Sequence, residues 1–188
     1  MILAMAGQKG GAGKSTLAIH LAAEWHRQGR RVLLVDADSQ GTALTWAEVA
    51  AERDIPAPAV IALGDNLRAQ LPGLADAYEI TVIDTPGRAG KRQAHALLVA
   101  DLALLPCGPS TPDVWSLGPS LEVLEEIRSL RPELYAALVL NRRTHTAEGR
   151  AAREALEGTG LPVLAAELGA RVAFSEALAA GLGVTTYA

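Results

Sequence analysis

The stretch Lys9-Gly10-Gly11-Ala12-Gly13-Lys14-Ser15-Thr16 decides the fold of this sequence. It follows a short apolar run, residues 2–6, and precedes a helical pattern that starts at Ser15. Small residues let consecutive backbone N–H groups turn toward one anion, and the N-terminus of a helix adds positive potential. A strand, a glycine-rich loop and a helix in this order therefore predict a phosphate-binding loop.

The charged and hydroxyl side chains of this loop indicate nucleotide chemistry. Lys14 can neutralise the outer phosphates, and Ser15 can offer its hydroxyl to Mg²⁺. Gln8 stands where the pattern G-x-x-x-x-G-K-[ST] has its first glycine, and Lys9 is an extra cation. Because the chain has only three lysines, two in one loop argue against coincidence. The predicted nucleotide-binding residues of the loop are Lys9, Gly10, Gly11, Ala12, Gly13, Lys14, Ser15 and Thr16.

Apolar strands alternate with amphipathic helices along the rest of the chain. Beyond the first strand, we predict strands at 32–35, 59–63, 80–83, 102–106, 137–140 and 162–165. The helical patterns cover 15–28, 43–53, 65–78 with a break around Pro72 and Gly73, 93–99, 113–130, 147–157 and 173–180. This alternation predicts an α/β fold, a mainly parallel twisted sheet with helices on both faces, as one domain spanning residues 1–188.

Composition limits the classes of protein that remain. The chain has 188 residues, of which 49% are hydrophobic but only 4% aromatic, so Ala, Leu and Val must fill the core. A net charge of −4 excludes a globally basic nucleic-acid binder and leaves room for a local basic face. Cys107 is the only cysteine and cannot form an internal disulfide. With no apolar run of about 18 residues and no signal peptide, we expect a cytoplasmic protein.

Polar residues follow several predicted strands, at the sheet edge where ligands of parallel sheets bind. Asp84 ends one strand, where its carboxylate can hold Mg²⁺ through a coordinated water. Asn141 ends another, where an amide can pair with the donor and acceptor of adenine. No N-K-x-D guanine signature follows Asn141, so ATP is favoured over GTP.

The loop sequence K-G-G-x-G-K-[ST] resembles the deviant Walker A loop of the ParA/MinD group of P-loop ATPases. Three features depart from the usual pattern of this group: Gly7, Ser39 and Gly87 stand where asparagine, proline and a second proline are common. Further segments resemble those of the group in order: Val35 to Gly41, Val82 to Pro86, Pro109 to Asp113, Leu140 to Arg142 and Arg171 to Ala177. The resemblance therefore covers nearly the whole chain and implies a three-layer P-loop fold.

The resemblance also implies roles for individual residues. Lys9, Lys14 and Asp38 would be catalytic, with Asp38 near Mg²⁺ and the attacking water. Ser15, Asp38 and Asp84 would hold the metal, and Asn141 would bind the adenine. Lys9 would reach the nucleotide of a second copy, so that a homodimer encloses two ATP molecules.

A DNA-binding surface and a protein partner are expected on the same basis. Arginines cluster late in the chain and could contact DNA phosphates without reading bases. We expect nonspecific DNA binding in the ATP state, association with the nucleoid, and stimulation by a ParB-like or other adaptor protein. The candidate DNA-binding residues are Arg142, Arg143, Arg150, Arg153 and Arg171.

Two features near the chain ends separate this sequence from other branches of the group. No lysine or arginine follows Arg171, so a basic membrane-binding helix is not expected. The phosphate loop begins almost at residue 1, so we expect no DNA-reading helix-turn-helix domain before it. These features favour a small ParA-like partition or cargo-positioning ATPase.

Two alternatives to this interpretation stay open. One is a metabolic ligase or kinase, such as a dethiobiotin-synthetase-like enzyme, although the sequence shows no evident set of substrate-binding polar residues. The other is a MinD-like positioning switch. Trp115, near the Pro109 to Asp113 turn, is either an interface contact or a core residue.

Overall fold

The computed structural model describes residues 1–87, 90–144 and 147–187, without the side chains of residues 147 and 148. Within these ranges six strands form one parallel sheet in the order β3-β2-β4-β1-β5-β6. The strands are β1 Ile2–Met5, β2 Val32–Asp36, β3 Ala59–Ala62, β4 Ile80–Asp84, β5 Leu102–Cys107 and β6 Tyr135–Leu140. The helices are α1 Lys14–Arg27, α2 Thr42–Glu52, α3 Leu67–Ala75, α4 Lys91–Val99, α5 Thr111–Trp115, α6 Gly118–Leu130, α7 Ala147–Glu157 and α8 Ala173–Ala180.

Both faces of the sheet are buried, which explains the continuous apolar strands. Successive residues of a strand point to opposite faces. In β2, Leu33 and Val35 pack into one apolar cluster, whereas Val32 and Leu34 pack into the other. The predicted three-layer α/β fold is confirmed.

The segment predicted as one helix over 113–130 consists of two helices, α5 and α6, so that prediction is wrong. Gly118 and Pro119 begin α6. A proline lacks the N–H that a helix interior needs, but it is well tolerated in a first turn. The sequence Gly-Pro therefore starts a new helix instead of continuing the first one.

The predicted strand at 162–165 is also wrong. Only Val163 forms a bridge, with Leu138 of β6. Pro162 has no N–H to donate, although its carbonyl accepts from the backbone of Leu138 at 2.8 Å. Leu164 donates to the Leu138 carbonyl at 2.8 Å, and Leu168 donates to the Leu140 carbonyl at 2.9 Å, so the segment lies beside β6 but forms no continuous ladder with it.

The predicted break in the third helix does not occur, because α3 runs through Pro72. Leu67 and Leu71, one turn apart, are completely buried. Pro72 lies on the exposed side of the helix. The buried leucines stabilise the helix more than the proline disrupts it. In the described part of the chain, every helix is too short or too polar to cross a membrane.

Candidate nucleotide-binding site

The loop between β1 and α1 has the backbone geometry of an anion cradle. Gly11 and Gly13 have φ angles of 75° and 95°, in the left-handed region that favours glycine. Gly13 precedes the first residue of α1, so the N–H groups of the first turn face the open cleft. The cleft has a volume of about 1020 Å³ and is lined by loop residues together with Asp38, Gln40 and Gly87.

Gln8, which replaces the first glycine of the formal pattern, has a structural role at the start of the loop. Its backbone N–H donates to the Ser120 hydroxyl at 2.9 Å, and its side-chain amide donates to the Pro119 carbonyl at 2.9 Å. Gln8 therefore attaches the start of the loop to the first turn of α6. Sequence patterns did not indicate this contact, because it joins residues more than 110 positions apart.

Lys14 is the cation of the cleft. It is only 5% exposed, and its ammonium donates to the Lys9 carbonyl at 3.1 Å. Burial lowers the pKa of Lys14, while the charges of Asp84 and Asp38 act in the opposite direction. A buried ammonium among carboxylates, facing open N–H groups, suits the oxygens of a polyphosphate.

Gly87 allows a close approach between the end of the β4 segment and the phosphate loop. A Cβ atom at Gly87 would lie 3.0 Å from the Gly10 Cα and 3.7 Å from the Lys14 ammonium. A larger residue there would press on the loop backbone. The departure from proline at this position therefore has a structural reason.

Asp84 has the chemistry of a metal-binding carboxylate. Both its oxygens are buried without a well-formed hydrogen bond among the described residues, although the Ser15 hydroxyl lies close enough to interact with them. Burial raises its pKa to about 7, and Asp36 adds to this effect, whereas Ser15 and Lys14 lower the pKa. Buried polar atoms normally have partners. The orphaned oxygens beside the Ser15 hydroxyl therefore fit Mg²⁺, which prefers oxygen ligands and keeps several waters.

Asp36 organises the segment that follows β2. One of its oxygens accepts from the backbone N–H of Asp38 at 3.1 Å. The other accepts from the N–H groups of Ala43 and Leu44, at 2.9 and 3.2 Å, in the first turn of α2. Asp36 is thus a structural support, and Asp38, half-buried, is the carboxylate that lines the cleft.

Lys9 points away from this cleft. Its ammonium forms an ion pair with Asp113 at 2.6 Å and lines a small cavity with Cys107 and Leu117. Its side chain is 38% exposed. Gly108 makes room for the carboxylate, since a Cβ there would lie 2.3 Å from an oxygen of Asp113. The two loop lysines therefore face different surroundings.

Asn141 lies between the loop and a second pocket of about 260 Å³. Its amide N–H donates to the Ala12 carbonyl at 2.8 Å, and its oxygen accepts from the Arg142 backbone at 2.9 Å. The pocket is also lined by Thr16, Arg171 and Phe174. Its size and position beside the loop suit a nucleobase, but Asn141 directs these bonds to the protein backbone.

The five candidate DNA-binding arginines do not share one environment. Arg143 and Arg153 both pair with Glu167, at 2.7 and 2.8 Å. Arg150 and Arg171 are exposed. The fifth, Arg142, lies near Asp113 at 3.9 Å. Ion pairs therefore reduce the charge of part of this set, whereas Arg150 and Arg171 remain available to other partners.

A P-loop on a parallel sheet, with acidic residues ending the two adjacent strands β2 and β4, defines a nucleotide-binding protein. The chain belongs to the CobQ/CobB/MinD/ParA nucleotide binding domain family, whose model matches residues 3–184.

Curated relatives include proteins of cargo distribution and DNA partition. The maintenance of carboxysome distribution protein A of Halothiobacillus neapolitanus is 32% identical over 185 residues, covering 97% of this chain and 85% of that protein. The chromosome-partitioning ATPase Soj of Thermus thermophilus is 32% identical over 161 residues, covering 70% of this chain and 65% of that protein.

Solved structures confirm the fold. The ATP complex of a Cyanothece McdA variant superposes with a TM-score of 0.80 at 18% identity, covering 99% of this chain and 90% of that one. The cobyrinic acid a,c-diamide synthase of Mycobacterium smegmatis, bound to ADP and magnesium, gives 0.79 at 20% identity, covering 95% and 92%. Because McdA and a cobyrinic acid a,c-diamide synthase match almost equally, the fold does not separate a partition or positioning protein from a metabolic enzyme.

Proposed function

We propose that this protein is an ATPase that dimerises with ATP and partitions DNA or positions a cellular cargo. The observation that carries this proposal is the difference in position and exposure between the two loop lysines. Lys14 is buried at the cleft, while Lys9 is partly exposed and outside it. In a dimer, Lys9 of one copy could contact the nucleotide of the other copy, in the same way that an arginine finger acts in trans.

In this proposal ATP and Mg²⁺ occupy the cleft. Loop N–H groups and Lys14 hold the phosphates, and Ser15 and Asp84 hold the metal. Asp38 helps to orient the attacking water. The pocket beside Asn141 takes the base. Hydrolysis to ADP and phosphate would return the chain to the separated state.

The proposed cycle has two further participants. The ATP-bound dimer binds nonspecific DNA through arginines, which places the protein on the nucleoid in the cytoplasm. A ParB-like or other adaptor stimulates hydrolysis, and the dimer then leaves the DNA. The relatives found by sequence support this cycle over a metabolic ligase, since they are named for distribution and partition.

Trp115 supports a protein contact beside the ion pair of Lys9. It lies on α5, two residues after Asp113, and is 74% exposed. It is therefore not a core residue, which leaves the interface interpretation. Large exposed aromatic side chains commonly become buried in protein interfaces.

Sedimentation velocity with ATP, ADP or no nucleotide, each with and without a DNA duplex, tests the proposal. We expect a dimer with Mg·ATP and a monomer otherwise, and we expect only the dimer to move with DNA. Lys14→Ala should abolish nucleotide binding, Lys9→Ala should bind ATP without dimerising, and Asp38→Ala should persist as an ATP-bound dimer.

Lys91→Ala is the matched control, because it removes an exposed lysine at the start of α4. A wild-type chain that stays monomeric with ATP, or ATP affinity unchanged in Lys14→Ala, would contradict the proposal. Release of ADP that depends on a small carboxylic acid or amine, with no effect of DNA, would instead support a metabolic enzyme.

A further inference from the structure

Two cations converge on one oxygen of Asp113. The Lys9 ammonium lies 2.6 Å from Oδ1, and an Arg142 guanidinium nitrogen lies 3.9 Å from the same atom. The Ser110 hydroxyl donates to the other oxygen, Oδ2, at 2.6 Å. Lys9 is therefore within hydrogen-bond distance of Oδ1, and Arg142 lies just beyond hydrogen-bond distance of the same oxygen.

The carboxylate cannot easily remain without a cation. Only 9% of the Asp113 side chain is exposed. Burial raises the pKa of Asp113, but hydrogen bonds from Lys9 and Ser110 outweigh burial and keep the pKa below its usual value. Removing one partner of a buried pair leaves an uncompensated charge, which is strongly destabilising. If Lys9 leaves for another nucleotide, Asp113 needs a replacement.

Arg142 is held in position to supply that replacement. Its φ angle of 54° is unusual for a residue other than glycine, and its backbone N–H donates to the Asn141 side chain at 2.9 Å. Its side chain is 48% exposed and has room to move. Strained backbone conformations often mark functional positions.

We propose that Arg142 takes over the charge of Asp113 when Lys9 moves to the nucleotide of a second copy. This inference rests on the proposed ATP-dependent dimer. It makes Arg142 a positioning residue of dimerisation and gives it a different role from the DNA contact expected from the sequence. Asp113 then holds Lys9 in the single chain and is neutralised by Arg142 in the dimer.

A double-mutant cycle on the dimer tests this transfer. The dimer dissociation constant is measured by sedimentation velocity with saturating Mg·AMPPNP and no DNA, for wild type, Arg142→Ala, Asp113→Asn and the double variant. We expect Arg142→Ala to weaken the dimer by about tenfold or more. Asp113→Asn alone is the reference, because it also releases Lys9, and in that background Arg142→Ala should weaken the dimer far less than it does in the wild type, since no buried charge remains.

Two variants check the specificity of the effect. Arg142→Lys keeps the positive charge and should retain most of the affinity. Arg68→Ala removes an exposed arginine on α3 and should leave dimerisation unchanged. Thermal unfolding of each variant without nucleotide shows whether the chain is folded, and the cycle compares only folded variants.

The outcomes separate this inference from the proposed function. Wild-type dimerisation in Arg142→Ala, or an equal loss of affinity from Arg142→Ala with and without Asp113→Asn, overturns the transfer and leaves the ATP-dependent dimer in place. A wild-type chain that remains monomeric with Mg·AMPPNP overturns both. A smaller effect of Arg142→Ala in the Asp113→Asn background supports the transfer, since the release of Lys9 is common to both members of that comparison.

Discussion

Asp84 illustrates how a single residue can be suited to a ligand at the expense of the unliganded fold. Its raised pKa, about 7, means that the folded chain holds this proton more tightly than the unfolded chain does. The stabilising effect of the proton is complete below the ordinary value of 3.8 and is lost as the pH rises through about 7. At pH 8 the buried carboxylate is charged, and the nearby Ser15 hydroxyl and Lys14 ammonium offset its burial only in part.

We therefore expect Asp84→Asn to raise the free energy of unfolding of the metal-free chain at pH 8 by about 1 to 4 kcal/mol. Urea denaturation with a chelator present measures this change. The same variant should lose the extra stabilisation that Mg²⁺ gives to the ATP-bound wild type. Asp76→Asn, which changes an exposed acid, is the control. A variant less stable than wild type at pH 8 would show that the carboxylate is not electrostatically strained.

Individual residues also show how far the sequence predicted the site. The spacing of Lys14, Ser15 and the loop glycines was sufficient to predict the phosphate-binding loop, because such a loop is formed by residues that are neighbours in the sequence. The ion pair of Lys9 with Asp113 was not predictable, since it joins residues 104 positions apart. Its only local signal was the Pro109 to Asp113 turn, which indicated a position but no partner.

At the scale of secondary structure elements, α8 and the residues after it are fastened to the rest of the molecule by close backbone contacts. Gly181 ends α8 with a φ angle of 75°. A Cβ atom there would lie 2.7 Å from the backbone nitrogen of Ala50 in α2. The two helices therefore approach closely only because this residue is glycine.

Gly181→Ala should lower the free energy of unfolding by more than about 2 kcal/mol, because conformational strain and a backbone collision add together. Gly29→Ala is the matched control: its φ angle is 81°, but no atom lies within 4 Å of the added Cβ. This control should lower the free energy of unfolding by only about 1 kcal/mol. Equal decreases of stability in the two variants, measured by urea denaturation, would show that the α2 and α8 contact adjusts without cost.

His20 joins α1 to the same C-terminal segment. Its Nδ1 accepts from the Val184 backbone at 3.1 Å, and its Nε2 lies 3.0 Å from the Phe174 carbonyl. These contacts require a neutral ring with the proton on Nε2. Burial lowers the pKa of His20 despite the contact with Phe174. The contribution of His20 to the free energy of unfolding should therefore be complete above its ordinary pKa of 6.5 and should decrease as the pH falls below that value.

Unfolding experiments at pH 7.5 and pH 5.5 test this dependence. Because the unfolded chain binds the proton more readily, the contribution of His20 should fall by up to about 1.4 kcal/mol per pH unit below the ordinary value. His20→Gln should be less stable than wild type at pH 7.5 but lose less stability between the two pH values. His26→Gln, on the same helix, should behave like wild type. Identical pH profiles for wild type and His20→Gln would contradict the assignment.

The elements themselves differed in how well they could be predicted. Strands such as β2 were recognisable because they are buried on both faces and are therefore apolar throughout. The division between α5 and α6 and the continuity of α3 were missed, because proline has opposite effects in a first turn and in a helix interior. Only the surrounding packing, such as burial of Leu67 and Leu71, decides which effect prevails.

At the scale of the whole molecule, the negative net charge repels DNA, which is also negatively charged. Binding to DNA therefore requires arginines that are locally exposed. The chain carries a net charge of −4. Arg143 and Arg153 share the carboxylate of Glu167, whereas Arg150 and Arg171 are exposed. A dimer would double the number of exposed arginines, so DNA should be held by the ATP-bound dimer much better than by one chain.

Salt dependence of DNA binding can therefore rank the arginines. For each DNA phosphate that a variant no longer neutralises, the slope of log K against log salt should become shallower by about 0.9, and the change doubles in a symmetric dimer. Arg150→Ala and Arg171→Ala should show this change, while Arg143→Ala should show less, because its charge is already paired. Fluorescence anisotropy of a labelled duplex with Mg·ATP measures the slopes, and Arg68→Ala on α3 is the exposed control.

If the ATP-loaded protein does not bind DNA at low salt, the nucleoid part of the proposed cycle fails. A larger effect of Arg143 than of Arg150 or Arg171 would mean that the Glu167 pair opens on DNA.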